Sequence, residues 1–241
     1  MIVLVTGTLV PGENVFALQL VDRDKRIGEY AESLKKLMAA KSVDKVVFCE
    51  NSGDEQAVEK LREQLYDGKP ENKLEILSFQ GDGDKVAKYG KGYGEGEVIK
   101  YALHNSRFLK NEKEFIKLTG RVTVENLDEI IEKMKKGILY FNPVKIYGKD
   151  KQTDTKFYKI PIKVYETYFL ELYMQVRDKD GIYIEHLFWK CLKENRLAFR
   201  NTPEYPRFQG TSGSIGISYG TTEWKYQIKN ILCKLKLYKN Q

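Results

Sequence analysis

The stretch KYGKGYGEGEVIKYALHNSRFLKNEKEFIKLTGR, residues 88–121, contains the pattern around which the rest of the chain can be arranged. Its first part has a glycine at every second position over 90–96. Glycine lets a backbone turn tightly and approach a ligand closely, so we expect a loop there. Apolar residues at helical spacing follow over 95–108, and 115–118 has the pattern of a short buried strand. The stretch therefore predicts a loop, a helix, a strand and a second loop.

Both predicted loops combine positive side chains with backbone amides. The first contains Lys91 and Glu95 among glycines that include Gly92 and Gly94, and the second ends at Arg121. This combination suits an anionic ligand such as a phosphate. A solvated turn rich in lysine and glycine is the alternative, and glycine spacing alone does not decide between the two.

The composition limits the class of protein. With 241 residues, of which 41% are hydrophobic and 31% charged, the chain has the size of one domain, or of one domain with a small appendage. The formal net charge of +7 favours partners with negative charge: phosphate-bearing ligands, polyanions or an anionic membrane surface. Charge does not choose among them.

The cysteines and the first residues of the chain indicate the cellular compartment in which the protein would work. Cys49, Cys191 and Cys233 are far apart and fit neither a zinc site nor a disulfide framework, which favours a reducing compartment such as the cytoplasm. Residues 1–5 are apolar but lack the basic lead of a signal peptide, and they predict a strand. No stretch approaches the roughly 20 apolar residues of a spanning helix. We expect a soluble or peripheral protein.

The first third of the chain alternates strands with helices. We predict strands at 2–5, 43–49 and 74–79, a short strand at 15–20, and helices at 26–40 and 57–65. This order indicates a doubly wound parallel sheet with right-handed crossovers. The first strand ends in Thr6, Gly7 and Thr8, at the sheet edge where open α/β sheets bind ligands. Arg26 begins the first helix, where it could reach a phosphate, although a surface arginine is the commoner case.

Asp82 and Asp84 flank Gly83 just before the glycine-rich stretch. Two carboxylates at this spacing could hold Mg²⁺ or Mn²⁺ that bridges a diphosphate. Aspartate and glycine are also ordinary turn residues, and short motifs match by chance. The pair is a metal candidate with a turn as its alternative.

The second half of the chain predicts a helix at 127–134, strands at 138–141 and 159–164, and an apolar segment at 165–176 that could be strand or helix. A further helix runs to about residue 192, with Glu185 and His186 in its first turn. The helix dipole favours an ionised carboxylate there, able to accept a proton. A helix-start acid beside a partly buried histidine is the alternative.

The C-terminal part contains a second glycine-rich segment over 203–216. Arg207 and the small residues beside it could wrap a diphosphate or a sugar, and long loops are often functional. A basic amphipathic helix over 223–241 follows. It lies on an anionic membrane surface, or it packs on the domain and leaves its lysines in water. The residues of its predicted apolar face are Trp224, Ile228, Ile231, Leu232, Leu235 and Tyr238.

The order of these parts resembles the GT-A type glycosyltransferases, the nucleotide-sugar-dependent enzymes of bacterial capsule and lipopolysaccharide gene sets. Such enzymes open with a strand whose end loop receives the nucleotide, here VTGT at 5–8. GKGYGE at 90–95 and KLTGR at 117–121 are similar to a subset of polysaccharide transferases. The pair Glu185 and His186 resembles the acid pair where inverting members place their base.

The resemblance implies an α/β, GT-A-like mixed sheet flanked by helices in a single domain over 1–222. Residues 1–124 would be the nucleotide-sugar-binding half, 125–222 the acceptor and catalytic half, and 223–241 the C-terminal helix. It also implies transfer from a UDP-, GDP- or CMP-linked donor to a glycan or lipid-linked acceptor in surface polysaccharide synthesis. The enzyme would work in the cytoplasm or at the inner face of the membrane, without a nucleic-acid partner.

Site residues follow from the same resemblance. Glu185 would deprotonate the acceptor hydroxyl, with His186 beside it. The donor-binding residues would be Thr6, Gly7, Thr8, Arg26, Asn51, Lys91, Gly92, Gly94, Glu95, Thr119, Gly120, Arg121, Arg207, Ser212, Gly213 and Ser214.

One departure from the family concerns metal. The usual Asp-x-Asp motif ends the strand after the helix, where this chain has Thr119, Gly120 and Arg121. Arg121, together with Lys91 and Arg207, would then balance the diphosphate charge, so no cofactor is required, although Mg²⁺ or Mn²⁺ stays open. The Asp82 pair lies one element before the family position.

Two other functional classes are alternatives to a glycosyltransferase. A basic nucleic-acid-binding module would fit the charge and the 12% of aromatic residues, but the basic residues are spread out and no binding signature occurs. Another α/β nucleotide-using transferase is the second alternative. The glycines follow the third predicted strand rather than the first, unlike a dinucleotide-binding fingerprint.

Overall fold

A computed structural model describes residues 1–12, 22–66, 72–143, 152–210, 222–235 and 237. The strands are β1 (Ile2–Gly7), β2 (Lys45–Glu50), β3 (Leu74–Ser78), β4 (Glu114–Thr119), β5 (Val122–Val124), β6 (Leu139–Asn142), β7 (Asp154–Pro161), β8 (Phe199–Asn201) and β9 (Phe208–Gly210). The helices are α1 (Arg23–Ala39), α2 (Glu55–Leu65), α3 (Gly83–Tyr89), α4 (Lys91–Asn105), α5 (Leu127–Lys133), the single turn α6 (Ile162–Val164), α7 (Ile184–Glu194) and α8 (Glu223–Lys234).

Seven strands form one mixed sheet in the order β3-β2-β1-β4-β7-β6-β8. The first four of these are mutually parallel, β7 is antiparallel to both of its neighbours, and β8 is parallel to β6. The short strands β5 and β9 form a separate antiparallel pair. The predicted fold class, an α/β mixed sheet flanked by helices in a single domain, is confirmed.

The apolar run of β1 forms a central strand because both faces of the sheet are covered. Val3 and Val5 pack into a core with residues of α1, α2 and α5, whereas Ile2 and Leu4 pack into a second core with residues of α4 and α7. Helices therefore cover both faces, as expected for parallel strands with continuous apolar sequence. The carboxyl ends of β1 and β4 meet at one edge of the sheet.

The glycine-rich stretch is helical, so the predicted loop at 90–96 is wrong. Helix α4 begins at Lys91, directly after Gly90, whose φ of 114° requires glycine. A Cβ on Gly96 would lie 2.1 Å from Cβ of Tyr173, and one on Gly92 would lie 3.0 Å from Cβ of Ile184. The glycines let neighbouring segments pack against the helix backbone.

Other boundaries differ from the predictions. The strand expected at 159–164 is only partly right: β7 begins earlier and ends at Pro161, and 162–164 forms the helical turn α6. The ambiguous segment at 165–176 contains a π-helical turn (Tyr165–Phe169) and a 3₁₀ turn (Leu172–Gln175). The helix α3 was not predicted at all. The short strand predicted at 15–20 lies outside the described residues.

Candidate functional site

The two segments expected to bind a donor are neighbours at the sheet edge. Thr6 of β1 and Thr119 of β4 are register partners, and the amide of Gly120 donates a hydrogen bond of 2.8 Å to the carbonyl of Thr6. The turns that follow β1 and β4 are thus held side by side. Ligands bind at this carboxyl edge in open α/β sheets.

Tyr30 of α1 lies beneath both turns, which sequence reasoning did not anticipate. A Cβ on Gly7 would lie 2.8 Å from its ring and one on Gly120 only 2.3 Å. Its hydroxyl accepts a 3.0 Å hydrogen bond from the amide of Thr8. Glycine is therefore needed at both positions because an aromatic ring is packed directly against the backbone.

The loop after β1 is shaped by a buried arginine. Arg26, only 3% exposed, donates hydrogen bonds to the carbonyls of Thr8 and Leu9. The hydroxyl of Thr8 also donates to the side-chain oxygen of Asn51 at 2.6 Å. Three predicted nucleotide-pocket residues, Thr8, Arg26 and Asn51, are thus joined in one network.

Arg121 has an unusual environment at the end of β4. Its φ of 62° lies in the left-handed region that residues other than glycine rarely adopt. The side chain is 7% exposed, and its guanidinium binds Glu29 at 2.9 Å and lies over the ring of Tyr30. Its buried Nε has no hydrogen-bond partner among the described residues. A strained, incompletely paired buried cation is a feature of functional sites.

Lys91, the first residue of α4, is a third cation whose pKa responds to Arg26 and Arg121. Burial lowers the pKa of Lys91; the positive charges of Arg26 and Arg121 lower it further, whereas Asp178 raises it. Arg26 and Arg121 lie over the same ring, that of Tyr30, at 6.0 and 5.7 Å from its centroid, and Lys91 is near enough for its pKa to respond to both charges. Such a group provides positive potential for an anion.

The first amides of α4 are already bound by a side chain, contrary to the expectation of free amides. The carboxylate of Asp178 accepts hydrogen bonds from the amides of Lys91, at 2.9 Å, and Gly92. Gly94 is packed against Val86, 3.1 Å from where its Cβ would lie. Gly92 and Gly94 therefore serve packing and capping in this structure.

Glu95 of α4 points to the sheet instead of a loop. It forms an ion pair of 2.6 Å with Lys117, which is fully buried on β4. The ammonium of Lys117 also donates to the hydroxyl of Thr119 at 2.8 Å and to the carbonyl of Thr155 at 2.7 Å. Lys117 and Thr155 were not among the predicted site residues.

Glu185 lies in the first turn of α7, as predicted, and accepts a hydrogen bond of 2.9 Å from the hydroxyl of Thr155. Burial raises the pKa of Glu185, and the negative charges of Glu95 and Asp154 raise it further, which is opposite to the favouring of the ionised form that the helix dipole predicted. Hydrogen bonds from its own amide and from Thr155 oppose the shift. A carboxyl with a raised pKa is suited to general base catalysis nearer to neutral pH.

His186 is directed elsewhere. Its Nδ1 lies 3.2 Å from the carbonyl of Gly181, and its ring packs against Tyr183. The two members of the predicted acid pair are both half-buried but have different partners: Glu185 accepts from Thr155, and His186 contacts Gly181.

Asp82 and Asp84 begin the helix α3. The carboxylate of Asp82 accepts from the amide of Lys85 at 3.0 Å and pairs with its ammonium at 2.8 Å, while Asp84 lies in the first turn. This is ordinary helix capping. Among the described residues, no group of three or more histidine, cysteine or acidic side chains is arranged to hold a metal ion.

Arg207 lies in a different environment from Arg121. It binds Glu125 at 2.7 Å and Glu223 at 2.6 Å, and its guanidinium lies over the ring of Tyr226. Arg207 thereby helps to hold α8 on the domain. Ser212, Gly213 and Ser214 lie outside the described residues.

The helix α8 leaves its apolar stripe in solvent. It packs through a different face, formed by Tyr226, Asn230 and Cys233. Trp224, Ile228, Ile231 and Leu235, which follow one another at helical spacing, are 62%, 49%, 54% and 64% exposed. The helix therefore packs on the domain, as one alternative predicted, but through a face other than the predicted apolar one, of which Tyr238 lies outside the described residues. No helix in the described part of the chain is long and apolar enough to cross a membrane.

The fold is shared with solved structures. A protein from Desulfovibrio desulfuricans G20, described as a nucleotide-diphospho-sugar transferase, aligns with a TM-score of 0.53 and 14% identity, over 83% of this chain and 78% of that one. The glycosyltransferase GlyE from Streptococcus pneumoniae TIGR4 aligns with a TM-score of 0.50 and 10% identity, over 83% of this chain and 44% of GlyE. This likeness shows the fold. No protein-family model and no curated protein matches the sequence.

Proposed function

We propose that this protein is a glycosyltransferase that moves a sugar from a nucleotide-sugar donor to an acceptor hydroxyl. The observation that supports this most directly is that Arg26 and Arg121 both lie over the ring of Tyr30, 6.0 and 5.7 Å from its centroid, beside the turns that follow β1 and β4. The diphosphate of a donor would offset their mutual repulsion and satisfy the unpaired Nε of Arg121. A fold neighbour described as a nucleotide-diphospho-sugar transferase supports the same class.

Within this proposal, Arg121 and Lys91 balance the diphosphate charge without a metal ion. The residues at the carboxyl end of β4 do not fit a divalent cation: the hydroxyl of Thr119 is bound to the ammonium of Lys117, and Arg121 is itself positive. Mg²⁺ and Mn²⁺ prefer carboxylate and other oxygen ligands. No step therefore requires a metal.

The proposed reaction uses Glu185 as the base. Its carboxylate takes the proton from the acceptor hydroxyl while the oxygen attacks the anomeric carbon of the donor sugar. The bond from that carbon to the diphosphate breaks, and the nucleoside diphosphate leaves with its charge stabilised by Arg121 and Lys91. Thr6, Thr8 and the Asn51 network line the nucleotide side of the site.

A thermal-shift screen tests the donor. The panel contains UDP, GDP, CMP and their sugar conjugates, each with and without Mn²⁺. A ligand at about 100 times its dissociation constant adds roughly 2.7 kcal/mol of stability. We expect a hit that does not need Mn²⁺. A hit that requires Mn²⁺ would contradict the metal-free proposal and return attention to Asp82 and Asp84.

Silence across that panel would contradict the glycosyltransferase proposal. Oligonucleotide affinity that falls steeply with salt would then favour the nucleic-acid-binding alternative. Binding of a different nucleotide without sugar transfer would favour another α/β transferase.

We also propose that the acceptor is a glycan or lipid-linked glycan of bacterial surface polysaccharide synthesis, of the capsule or lipopolysaccharide type. The support is the exposed stripe of α8, with Trp224 and Leu235 near its ends and the exposed Lys225 and Lys234 beside it. An apolar stripe flanked by lysines suits an anionic lipid surface. The protein would then work peripherally at the inner face of the cell membrane.

A vesicle-sedimentation assay tests the membrane proposal. The wild-type protein should bind vesicles of phosphatidylglycerol and phosphatidylcholine, and bind phosphatidylcholine vesicles less. Trp224→Ser with Ile231→Ser should abolish binding, whereas Gln227→Ser, on the same helix but off the stripe, should not. Equal retention of both variants would refute the proposal.

A further inference from the structure

Lys117 occupies a fully buried position at the centre of the candidate site. Its ammonium has three hydrogens, and each has an acceptor: the carboxylate of Glu95 at 2.6 Å, the hydroxyl of Thr119 at 2.8 Å and the carbonyl of Thr155 at 2.7 Å. The three acceptors belong to α4, β4 and β7. One side chain thus fixes three elements of the fold relative to one another.

Each acceptor leads to a different part of the site. Thr119 is followed directly by Gly120 and Arg121, which form the proposed diphosphate-binding turn. The hydroxyl of Thr155 donates to Oε1 of Glu185 at 2.9 Å. Lys117 binds the carbonyl of the same Thr155, so Lys117 acts on the orientation of the proposed base through Thr155. Glu95 lies close enough to Glu185 for its charge to raise the pKa of that carboxyl.

We propose that Lys117 is the positioning residue of this site. It fixes the donor turn after β4, the carboxylate of Glu95 and the orientation of Glu185 as one unit. The proposal rests on the glycosyltransferase function proposed above. Lys117 has no contact with substrate in this scheme and acts through the groups that it binds.

If Lys117 positions the site, removing its ammonium should lower the turnover rate while the protein still folds. Removing the ammonium lets the donor turn and the base shift independently, and a misplacement of about 1 Å can cost about a hundredfold in rate. The ammonium must be removed together with the charge of its partner, because a buried carboxylate without its lysine would destabilise the fold. The informative comparison is therefore Lys117→Met/Glu95→Gln against Glu95→Gln alone.

A matched control exists in the same sheet. Lys159 of β7 is also fully buried, binds the carboxylate of Glu114 at 2.8 Å and donates to the carbonyl of Lys135 at 2.8 Å. Lys159 is the register partner of Ile116, but its side chain lies on the other face of the sheet from Lys117 and reaches Glu114 at the amino end of β4, away from the carboxyl-end turns. Lys159→Met/Glu114→Gln against Glu114→Gln therefore repeats the same chemical change outside the site.

The first measurement is turnover of UDP-, GDP- and CMP-sugars, followed by nucleotide release, in variants whose melting temperatures are recorded alongside. We expect kcat of Lys117→Met/Glu95→Gln to be about 10- to 100-fold below that of Glu95→Gln, with the donor KM changed much less. The Lys159 series should change less than threefold by this argument. Equal kcat in Glu95→Gln and the double variant, or equal losses in both series, would overturn the proposal.

A second measurement needs no substrate. Glu185 can be titrated by ¹³C NMR of labelled glutamate; the groups that face it are Glu95, Asp154 and Thr155. The midpoint should be higher in Lys117→Met/Glu95→Gln than in Glu95→Gln, because the Thr155 hydroxyl, whose hydrogen bond lowers the pKa of Glu185, is no longer held against the carboxylate. An unchanged midpoint would overturn the proposal.

The two proposals fail differently. If the wild-type protein turns over no nucleotide sugar, the glycosyltransferase function fails while the NMR titration still tests the link between Lys117 and Glu185. If the wild-type protein is active and the Lys117 series matches the Lys159 series, only the positioning role fails.

Discussion

Two lysines of the described chain, Lys117 and Lys159, are fully buried in the same sheet. Lys159 is the register partner of Ile116, next to Lys117, but the two side chains reach opposite ends of β4: Lys117 binds Thr119 and Lys159 binds Glu114. Each binds one carboxylate at under 3 Å, Glu95 for the first and Glu114 for the second. Side chains alternate along strands, so Lys117 lies on the sheet face that carries Phe115 and Lys159 on the other face, with Phe157. Chemically the two pairs are nearly the same.

The difference lies in what else each lysine binds. Lys159 donates to the carbonyl of Lys135, which joins β7 to the turn after α5. Lys117 donates to Thr119 and Thr155, which adjoin the candidate donor turn and the candidate base. A buried ion pair adds little net stability over an apolar replacement, so the presence of such a pair does not by itself identify its role. On the proposal made above, the acceptors at the carboxyl end of β4 are what distinguish the Lys117 pair from the Lys159 pair.

The largest expected effect is on kcat, and it distinguishes Glu185, near the carboxyl end of β4, from Glu114, at the amino end of that strand. Glu185→Gln should lower kcat by about 10³-fold, within the range for loss of a general base, because the amide cannot take the acceptor proton. Glu114→Gln makes the same change at the amino end of β4 and should leave kcat close to wild type. Full activity in Glu185→Gln, measured by nucleotide release, would remove that residue from the mechanism.

The free energy of unfolding should fall by a similar amount in the Lys117 and Lys159 variants. Lys117→Met and Lys159→Met each leave one largely buried carboxylate without its partner, which costs about 3 kcal/mol; the value is at the low end because both carboxylates are partly exposed. Urea unfolding monitored by circular dichroism measures both. A much larger loss in Lys117→Met would indicate that Lys117 is chiefly structural, which would weaken the contrast.

The same comparison can be made for arginines, with Arg121 in the proposed diphosphate-binding turn and Arg107 outside it. Arg121→Ala should lower kcat/KM for the donor by about a hundredfold, the range for losing one group that stabilises developing charge. Arg107→Ala, an exposed arginine that pairs with Glu75 beside the edge strand β3, is the control and should be near wild type. Unchanged donor affinity and turnover in Arg121→Ala would end the metal-free charge-balance proposal.

The smallest effect concerns pH. Burial and the charges of Glu95 and Asp154 raise the pKa of Glu185, and the base must be ionised, so activity should fall on the acid side at a pH above the ordinary glutamate range. Glu95→Gln removes one negative charge, lowers the pKa of Glu185 and moves the acidic limb of the kcat profile to lower pH. Glu114→Gln should not move it. A shift to higher pH would contradict the proximity of the two carboxylates.

The fold was largely predictable because its signals are local. The apolar run of β1, the helical spacing of α1 and the strand ending at Thr119 each appear in consecutive residues, and their order predicts the parallel part of the sheet. The glycines at 92 and 96 were misleading. They make room for Ile184 and Tyr173, which are distant in the chain, and spacing alone cannot reveal a distant packing partner.

The candidate site was predictable only in part. Thr6, Thr8, Arg121 and Glu185 could be proposed from their positions at strand and helix ends, and they stay proposals until tested. Tyr30 looked like one more apolar residue of an amphipathic helix. Its packing under both donor turns could be inferred only afterwards, from the two glycines at the ends of β1 and β4.

The sequence by itself determined the alternation of strands and helices in the first third of the chain and the net positive charge, and it led to the prediction of a ligand site at the carboxyl edge of the sheet. These depend on periodicity, on turn residues and on composition, all of which are properties of short stretches. Only the tertiary structure decided that Arg207 binds Glu125 and Glu223, that the stripe of α8 faces solvent, and that Lys117 joins Glu95, Thr119 and Thr155. A charge acquires its partner when strands and helices distant in the chain pack together, so its role depends on contacts that no local pattern encodes.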